Sequence, residues 1–388
     1  MADLSRPCRW SILLLILVLS RKECTALSLS SRRHILQTAA AVSASAASGL
    51  LGGPLVASAD TVTDDPSRLL LANGVSIPRV GYSLYKTAPE QVAEGVQLAL
   101  AAGVRHFDCA SQYGTNAMVG KTLQTYVQKG LVVDTDTRPT IAATILSTKQ
   151  GRRQELFVTH KLSNAEQSTD TAVVKRNVSQ QCRLLGHVDL ALIHSPLTDK
   201  ARRLATYRAL LELQYAGTVR AVGVCHFGVP PLQELVDAGL PAPAVIQLVL
   251  SPFQQHSDIL QWAAVHGSAV ECAAWSKLSS VEGPAEGWAA LGKIADACKV
   301  TKQQVLIRWA IQRGFVCVPR SSSKYKVEQQ AIAENAWPAV SAFVLSERDM
   351  KTLNGLDKDL PAGQLRVLDG WNASDIMDDN WDPTRAIV

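Results

Sequence analysis

The run Gly103-Val104-Arg105-His106-Phe107-Asp108-Cys109-Ala110-Ser111-Gln112-Tyr113 decides the fold. Val104 to Phe107 reads as a short buried strand entered from a glycine. The strand ends on a carboxylate, and five residues later a tyrosine follows. An aspartate at a strand end is poorly placed for structure alone. Five residues of turn are enough to swing the phenol back over that end. The pattern recurs downstream. Leu156-Phe157-Val158-Thr159-His160-Lys161 is a strand ending on a lysine, and Val188-Asp189-Leu190-Ala191-Leu192-Ile193-His194 one ending on a histidine. Three successive strands that each deliver an ionisable group at the carboxyl end point to a parallel β/α barrel, whose chemistry sits on its C-terminal face.

Asp108, Tyr113, Lys161 and His194, each in its local context, resemble the catalytic tetrad of the aldo-keto reductase superfamily. The resemblance runs from about Leu69 to Leu356, with the four motifs in family order. It implies an α/β fold, a (β/α)8 TIM barrel, with an N-terminal β-hairpin plugging the barrel bottom and a C-terminal loop or tail.

Working outward, Leu69 to Ile77 reads as that hairpin, turning at Asn73-Gly74. Strands are expected at Val80–Leu84, Val104–Asp108, Leu156–His160, Val188–His194, Ala221–Cys225, Val245–Val249, Ala269–Ala274 and Phe315–Val318. Helical patterns fall between them, the first opened by Pro89. Eight strand–helix units in about 250 residues is the barrel count. Residues 130–153 have weak periodicity and read as an insertion, ordered in part at Thr140 to Leu146. Ser346 to Leu356 reads as a late capping helix, and the tail after Asp357 is loop-like.

The first 59 residues are a leader and lie outside the single barrel domain, 60–388. Ser11 to Leu19 (SILLLILVL) is unbroken and apolar, follows Arg6 and Arg9, and is too short to span a bilayer. A second signal begins at Ser31-Arg32-Arg33 and ends at Ala57-Ser58-Ala59, the pattern of a twin-arginine signal. Such tandem signals resemble the bipartite leaders of proteins bound for the thylakoid lumen of a complex plastid. The alternative is one long secretory leader with delivery to an endomembrane lumen or the exterior. The chain carries 39 basic and 34 acidic side chains. Without the six basic and two acidic groups of the leader the balance is 33 to 32, which gives no nucleic-acid surface. Cys109, Cys182, Cys225, Cys272, Cys298 and Cys317 form no C-x-x-C pair and read as free thiols rather than disulfides or metal ligands. No metal is expected, and a monomer without a membrane anchor is.

The tetrad suits carbonyl reduction. A carbonyl needs a hydride at carbon and a proton at oxygen. A free tyrosine, with a pKa of about 10, is a reluctant acid near neutrality, and a nearby ammonium favours its phenolate. Tyr113 is therefore assigned as general acid and Lys161 as its tuner. Asp108 partners the lysine, and His194 orients the carbonyl.

The resemblance further implies NADPH as hydride donor, extended across the barrel mouth. The matching positions are Cys225, His226, Gln247, Trp275, Ser276, Leu278, Arg320, Ser321, Lys326 and Gln330. Gln247 matches a contact to the nicotinamide amide and Trp275 a stacking aromatic, usually tyrosine. Arg320 and Lys326 match two basic residues around the adenosine 2′-phosphate, which favours NADPH over NADH. Cys225 and His226 depart from the family's usual Ser-Asn, and Ile246 from a frequent asparagine. Tyr85 and Ser195 match the substrate wall, where a small Ser195 implies an open pocket. The substrate is expected to be a small aldehyde or ketone. An NADPH-binding sensor with little turnover is the rival reading, motivated by the Cys225 and His226 changes.

Overall fold

The structure is a computed structural model and describes residues 65–129, 153–273, 285–320 and 326–357, with backbone alone for 285–288 and 326–329. The leader expected at 1–59, the insertion expected at 130–153 except its last residue, and residues 358–388 lie outside the described residues.

A two-stranded antiparallel hairpin, β1 (Arg68–Leu70) and β2 (Ser76–Pro78), comes first. Eight parallel strands follow: β3 (Tyr82–Ser83), β4 (His106–Ala110), β5 (Phe157–Leu162), β6 (Leu190–Ile193), β7 (Ala221–Cys225), β8 (Val245–Val249), β9 (Ala269–Ala273) and β10 (Val316–Cys317). They neighbour one another in chain order. The ring closes between its ends. Val80 bridges Cys317 in parallel, and the amides of Gly81 and Ser83 donate to the carbonyls of Cys317 and Pro319 at 2.8 and 3.0 Å. Each strand after β3 is preceded by a helix, so the architecture is the (β/α)8 barrel expected from the sequence.

The strands are apolar on both faces because both are covered. All five residues of β4 and all six of β5 are buried. Outward-facing residues such as Phe107, Val158, Ala191 and Val224 pack under helices. Inside, Phe157, Leu190, Leu192, Ala221 and Val245 form a second cluster with Leu71, Val75 and Ile77 of the hairpin. The hairpin thus fills the bottom of the barrel, and Asn73 anchors it by donating to the carbonyl of Arg220 at 3.1 Å.

Local signals set the helices. α1 (Pro89–Ala101) starts on a proline, buries Val92, Val96, Ala99 and Leu100, and is followed by Gly103 at φ +87°. α2 (Asn116–Lys129) lies against α3 (Thr171–Leu185) so closely that a methyl on Gly120 would run into the carbonyl of Leu184. Asp170 caps α3 by accepting from the amide of Ala172 at 2.9 Å. Among the described residues no helix is long and apolar enough to cross a membrane. The six cysteines expected as thiols are free, and Cys109, Cys225, Cys272 and Cys317 are buried.

Candidate active site

Strand register brings the four expected catalytic groups to the upper end of the barrel. Asp108 and Lys161 lie inside it on adjacent strands, each 1% exposed. Lys161 donates to Asp108 Oδ1 in a short contact, and Ser83 donates to Asp108 Oδ2 at 3.1 Å. Lys161 sits within β5, which runs one residue beyond it to Leu162, because His194 N still donates to the Leu162 carbonyl. Burial opposes the ammonium, but Asp108 beside it more than offsets this and raises the lysine's pKa.

Tyr113 ends a short 3₁₀ turn, Ser111–Tyr113, and Gly114 at φ +67° turns the chain out of it. Ser111 Oγ and Asn116 Nδ2 lie 3.3 and 3.4 Å from the ring nitrogens of His160, which ties this turn to β5. Lys161 Nζ stands 5.2 Å from the Tyr113 ring centroid. Burial pushes the phenol's pKa up, and the Lys161 charge pulls against that shift. The His194 ring meets the Tyr113 ring edge-on at 6.1 Å. Burial, then the Lys161 charge, holds His194 well below the ordinary imidazole value, so it is neutral. A phenol, an ammonium and a neutral imidazole therefore converge on one point at the mouth.

Beneath them lies a layer of three side chains, of which the sequence reading missed Glu271. Register sets Cys225, Gln247 and Glu271 side by side on β7, β8 and β9. Gln247 Nε2 donates to Asp108 Oδ1 at 3.1 Å and to Glu271 Oε1 in a short contact. Its Oε1 accepts from the Cys225 thiol at 3.3 Å. Gln247 is 2% exposed. Its amide is thus spent inward, whereas the resemblance had it facing the nicotinamide. Glu271 was legible in principle, being a carboxylate in the middle of the apolar strand Ala269-Val270-Glu271-Cys272-Ala273.

The rim holds the remaining expected groups that the structure describes. Tyr85 packs against Tyr113 with ring centroids 5.5 Å apart. Arg320 Nη2 donates to the carbonyl of Lys86 at 2.9 Å, while its Nε is buried without a partner among the described residues. His226 holds a left-handed backbone at φ +60°, and its ring stacks with that of His194 at 6.3 Å. Ser195 departs from expectation. It is fully buried and donates to Asn164 Oδ1 at 2.7 Å, so it braces the rim instead of facing an open pocket. Gln330 is exposed and donates to Glu334 at 2.7 Å within its own helix, Lys326–Glu334. Lys326 begins that helix. Trp275, Ser276, Leu278 and Ser321 lie outside the described residues. His194, Cys225 and His226 bring one nitrogen or sulfur each within 4.8 Å of one another. The Cys225 thiol of this trio donates to Gln247 Oε1.

Comparison with known proteins agrees with this geometry. An aldo-keto reductase of Mycobacterium sp. (strain JLS) is 30% identical over 307 residues, 79% of this chain and 94% of the relative. Methylglyoxal reductase DkgA of Salmonella typhimurium is 28% identical over 294 residues, 76% of this chain and 94% of the relative. Among solved structures, a mutant of Gox0644 in complex with NADPH has 28% identity and a TM-score of 0.62, covering 80% of this chain and 97% of its own. The family model for the aldo/keto reductases matches residues 79–358, and the chain belongs to that family.

Proposed function

We propose that the protein reduces small aldehydes or ketones to alcohols with NADPH, and that Tyr113 supplies the proton. The observation that carries this reading is the buried Lys161–Asp108 pair beneath Tyr113, with a neutral His194 at the same mouth. NADPH supplies a hydride when bound. The residues suit it at the phosphate end, where Arg320 Nε is a buried donor without a partner among the described residues and Lys326 opens the next helix. Cys225, His226, Trp275, Ser276, Leu278, Ser321 and Gln330 are the further candidates to hold it, with Gln247 behind them.

His194 donates a hydrogen bond to the carbonyl oxygen and orients it. The Tyr113 hydroxyl then gives its proton to that oxygen. Lys161 stabilises the phenolate left behind, and Asp108 holds the lysine charged and in place. Tyr85 forms one wall of the substrate site.

The inward commitment of Gln247 favours a second reading, a barrel that binds NADPH with little turnover. NADPH oxidation by the protein with a panel of aldehydes, alongside calorimetric NADPH binding, separates the two. Turnover with any aldehyde supports the reductase, whereas binding without turnover supports the rival. The tandem signals before Asp60 further support delivery to a plastid, into the thylakoid lumen. A mature N-terminus near Leu27, or glycan on Asn177 or Asn372, would support the secretory alternative.

A further inference from the structure

Glu271 has no part in the mechanism above, yet it is fully buried at the centre of β9 and joined to the tetrad. One oxygen accepts from Gln247, and the other is buried without a hydrogen-bond partner among the described residues. The second Gln247 hydrogen goes to the same Asp108 oxygen that accepts from Lys161. A continuous line therefore runs from Glu271 through Gln247, Asp108 and Lys161 to Tyr113.

We propose that Glu271 is a positioning residue for the reduction: through Gln247 it fixes the Asp108–Lys161 pair, and its protonation state sets how much of the lysine's charge reaches Tyr113. The proposal rests on the carbonyl-reduction reading above. With Glu271 neutral, one carboxylate faces one ammonium. With Glu271 ionised, two carboxylates face that ammonium, and the layer carries a net negative charge. Proton donation by Tyr113 adds another negative charge beside it. The neutral acid is therefore the fast state and the ionised acid the slow one.

The surroundings put the change in a useful range. The titratable groups facing Glu271 are Asp108 from β4, Lys161 from β5 and Cys225 from β7, with Cys272 next to it on its own strand. On β10 its register partner is Val316. Burial, then the Asp108 charge, raises the Glu271 pKa to about 8, against the pull of the Gln247 hydrogen bond and of Lys161. Burial pushes both thiols well above their ordinary value, so neither carries charge there. A carboxylate with one oxygen lacking any donor is costlier to bury than the neutral acid, which agrees with this direction.

Glu271→Gln keeps the acceptor for Gln247 and cannot ionise. In the parent, kcat for aldehyde reduction should fall to a lower plateau as pH rises through about 8. In the variant that step should vanish, with KM for NADPH unchanged. A second readout needs no turnover. The infrared band of a buried carboxylic acid should disappear with a midpoint near pH 8 in the parent, be absent from Glu271→Gln, and move to higher pH in Lys161→Met. The same kcat step in Glu271→Gln, or a band unmoved in Lys161→Met, overturns the proposal. Absence of any carbonyl turnover by the parent overturns the reductase reading and the rate role with it, while a moving band would still establish the charge coupling.

Discussion

The two ends of this barrel bury carboxylates, one below and two above, and they settle the charge in opposite ways. At the lower end Asp189, just before β6, accepts from the amide of Val158 at 2.8 Å and from Arg153 and Arg220 at 3.3 and 3.2 Å, with His187 within 3.4 Å. Burial would raise its pKa, but the His187 contact and the Arg153 charge prevail and bring it to about 2. At the upper end Asp108 and Glu271 share one lysine. Where cations outnumber carboxylates, the acid stays ionised at every ordinary pH and serves as a clamp. Where carboxylates outnumber cations, burial and the neighbouring charge push the pKa of one of them, Glu271, up to about 8. The first arrangement suits the stable bottom of a barrel and the second its reactive mouth.

Four substitutions would break or sharpen this contrast. Tyr113→Phe should have the largest effect: carbonyl reduction falls about 10²- to 10⁴-fold while NADPH binding by calorimetry persists. Near-normal reduction would remove the mouth's claim to the chemistry. Asp189→Asn tests the other end. It should cost about 3 kcal/mol of stability in denaturant titration, with activity per folded molecule retained. Asp189 has a depressed pKa, so its contribution is present above the ordinary value of 3.8 and is lost as pH falls through about 2. Acid unfolding of the variant should therefore lack that part of the parent's pH dependence.

Arg320→Ala is the next smaller effect. It should weaken NADPH binding roughly tenfold and leave NADH little changed, because only NADPH carries the 2′-phosphate. Equal losses for the two would end that assignment. Glu271→Gln keeps the acceptor for Gln247, and its effect should appear as a pH dependence of stability opposite in sign to that of Asp189. The pKa of Glu271 is raised from 4.5 to about 8, so its folded-state advantage is full below 4.5 and drains away as pH rises to 8. The parent should lose at most about 1.4 kcal/mol per pH unit in that window relative to the variant. A parallel pair of stability curves would mean that Glu271 is not held neutral by the fold.

The barrel was legible because its signal is local. Strands buried on both faces are short apolar runs, and Asp108, Lys161 and His194 stood out as ionisable groups closing such runs. Hydrogen bonding across strands is not local. Nothing near Gln247 in the chain says that Glu271, 24 positions on, takes one of its hydrogens and Asp108, 139 positions back, the other. Ser195 misled for the same reason, since the Asn164 that buries it lies 31 positions earlier. Lys161 read as the last strand residue, although pairing with β6 carries the strand on to Leu162.

The seam between β3 and β10 has a kinetic consequence. Each of these strands is two residues long, whereas the neighbours β4 and β9 have five. The seam joins segments from opposite ends of the barrel sequence, and the Arg320–Lys86 hydrogen bond across it spans 234 positions. Its closure carries a large loop entropy and is rewarded by few ladder bonds, so it should be the last step of folding. It should also be the first place to open in the native state, with the amides of Gly81, Ser83 and Cys317 exchanging with deuterium sooner than those of β5 and β6. Arg320 ends up at that latch, so the residue proposed to grip the cofactor's phosphate is also one that holds the ring shut.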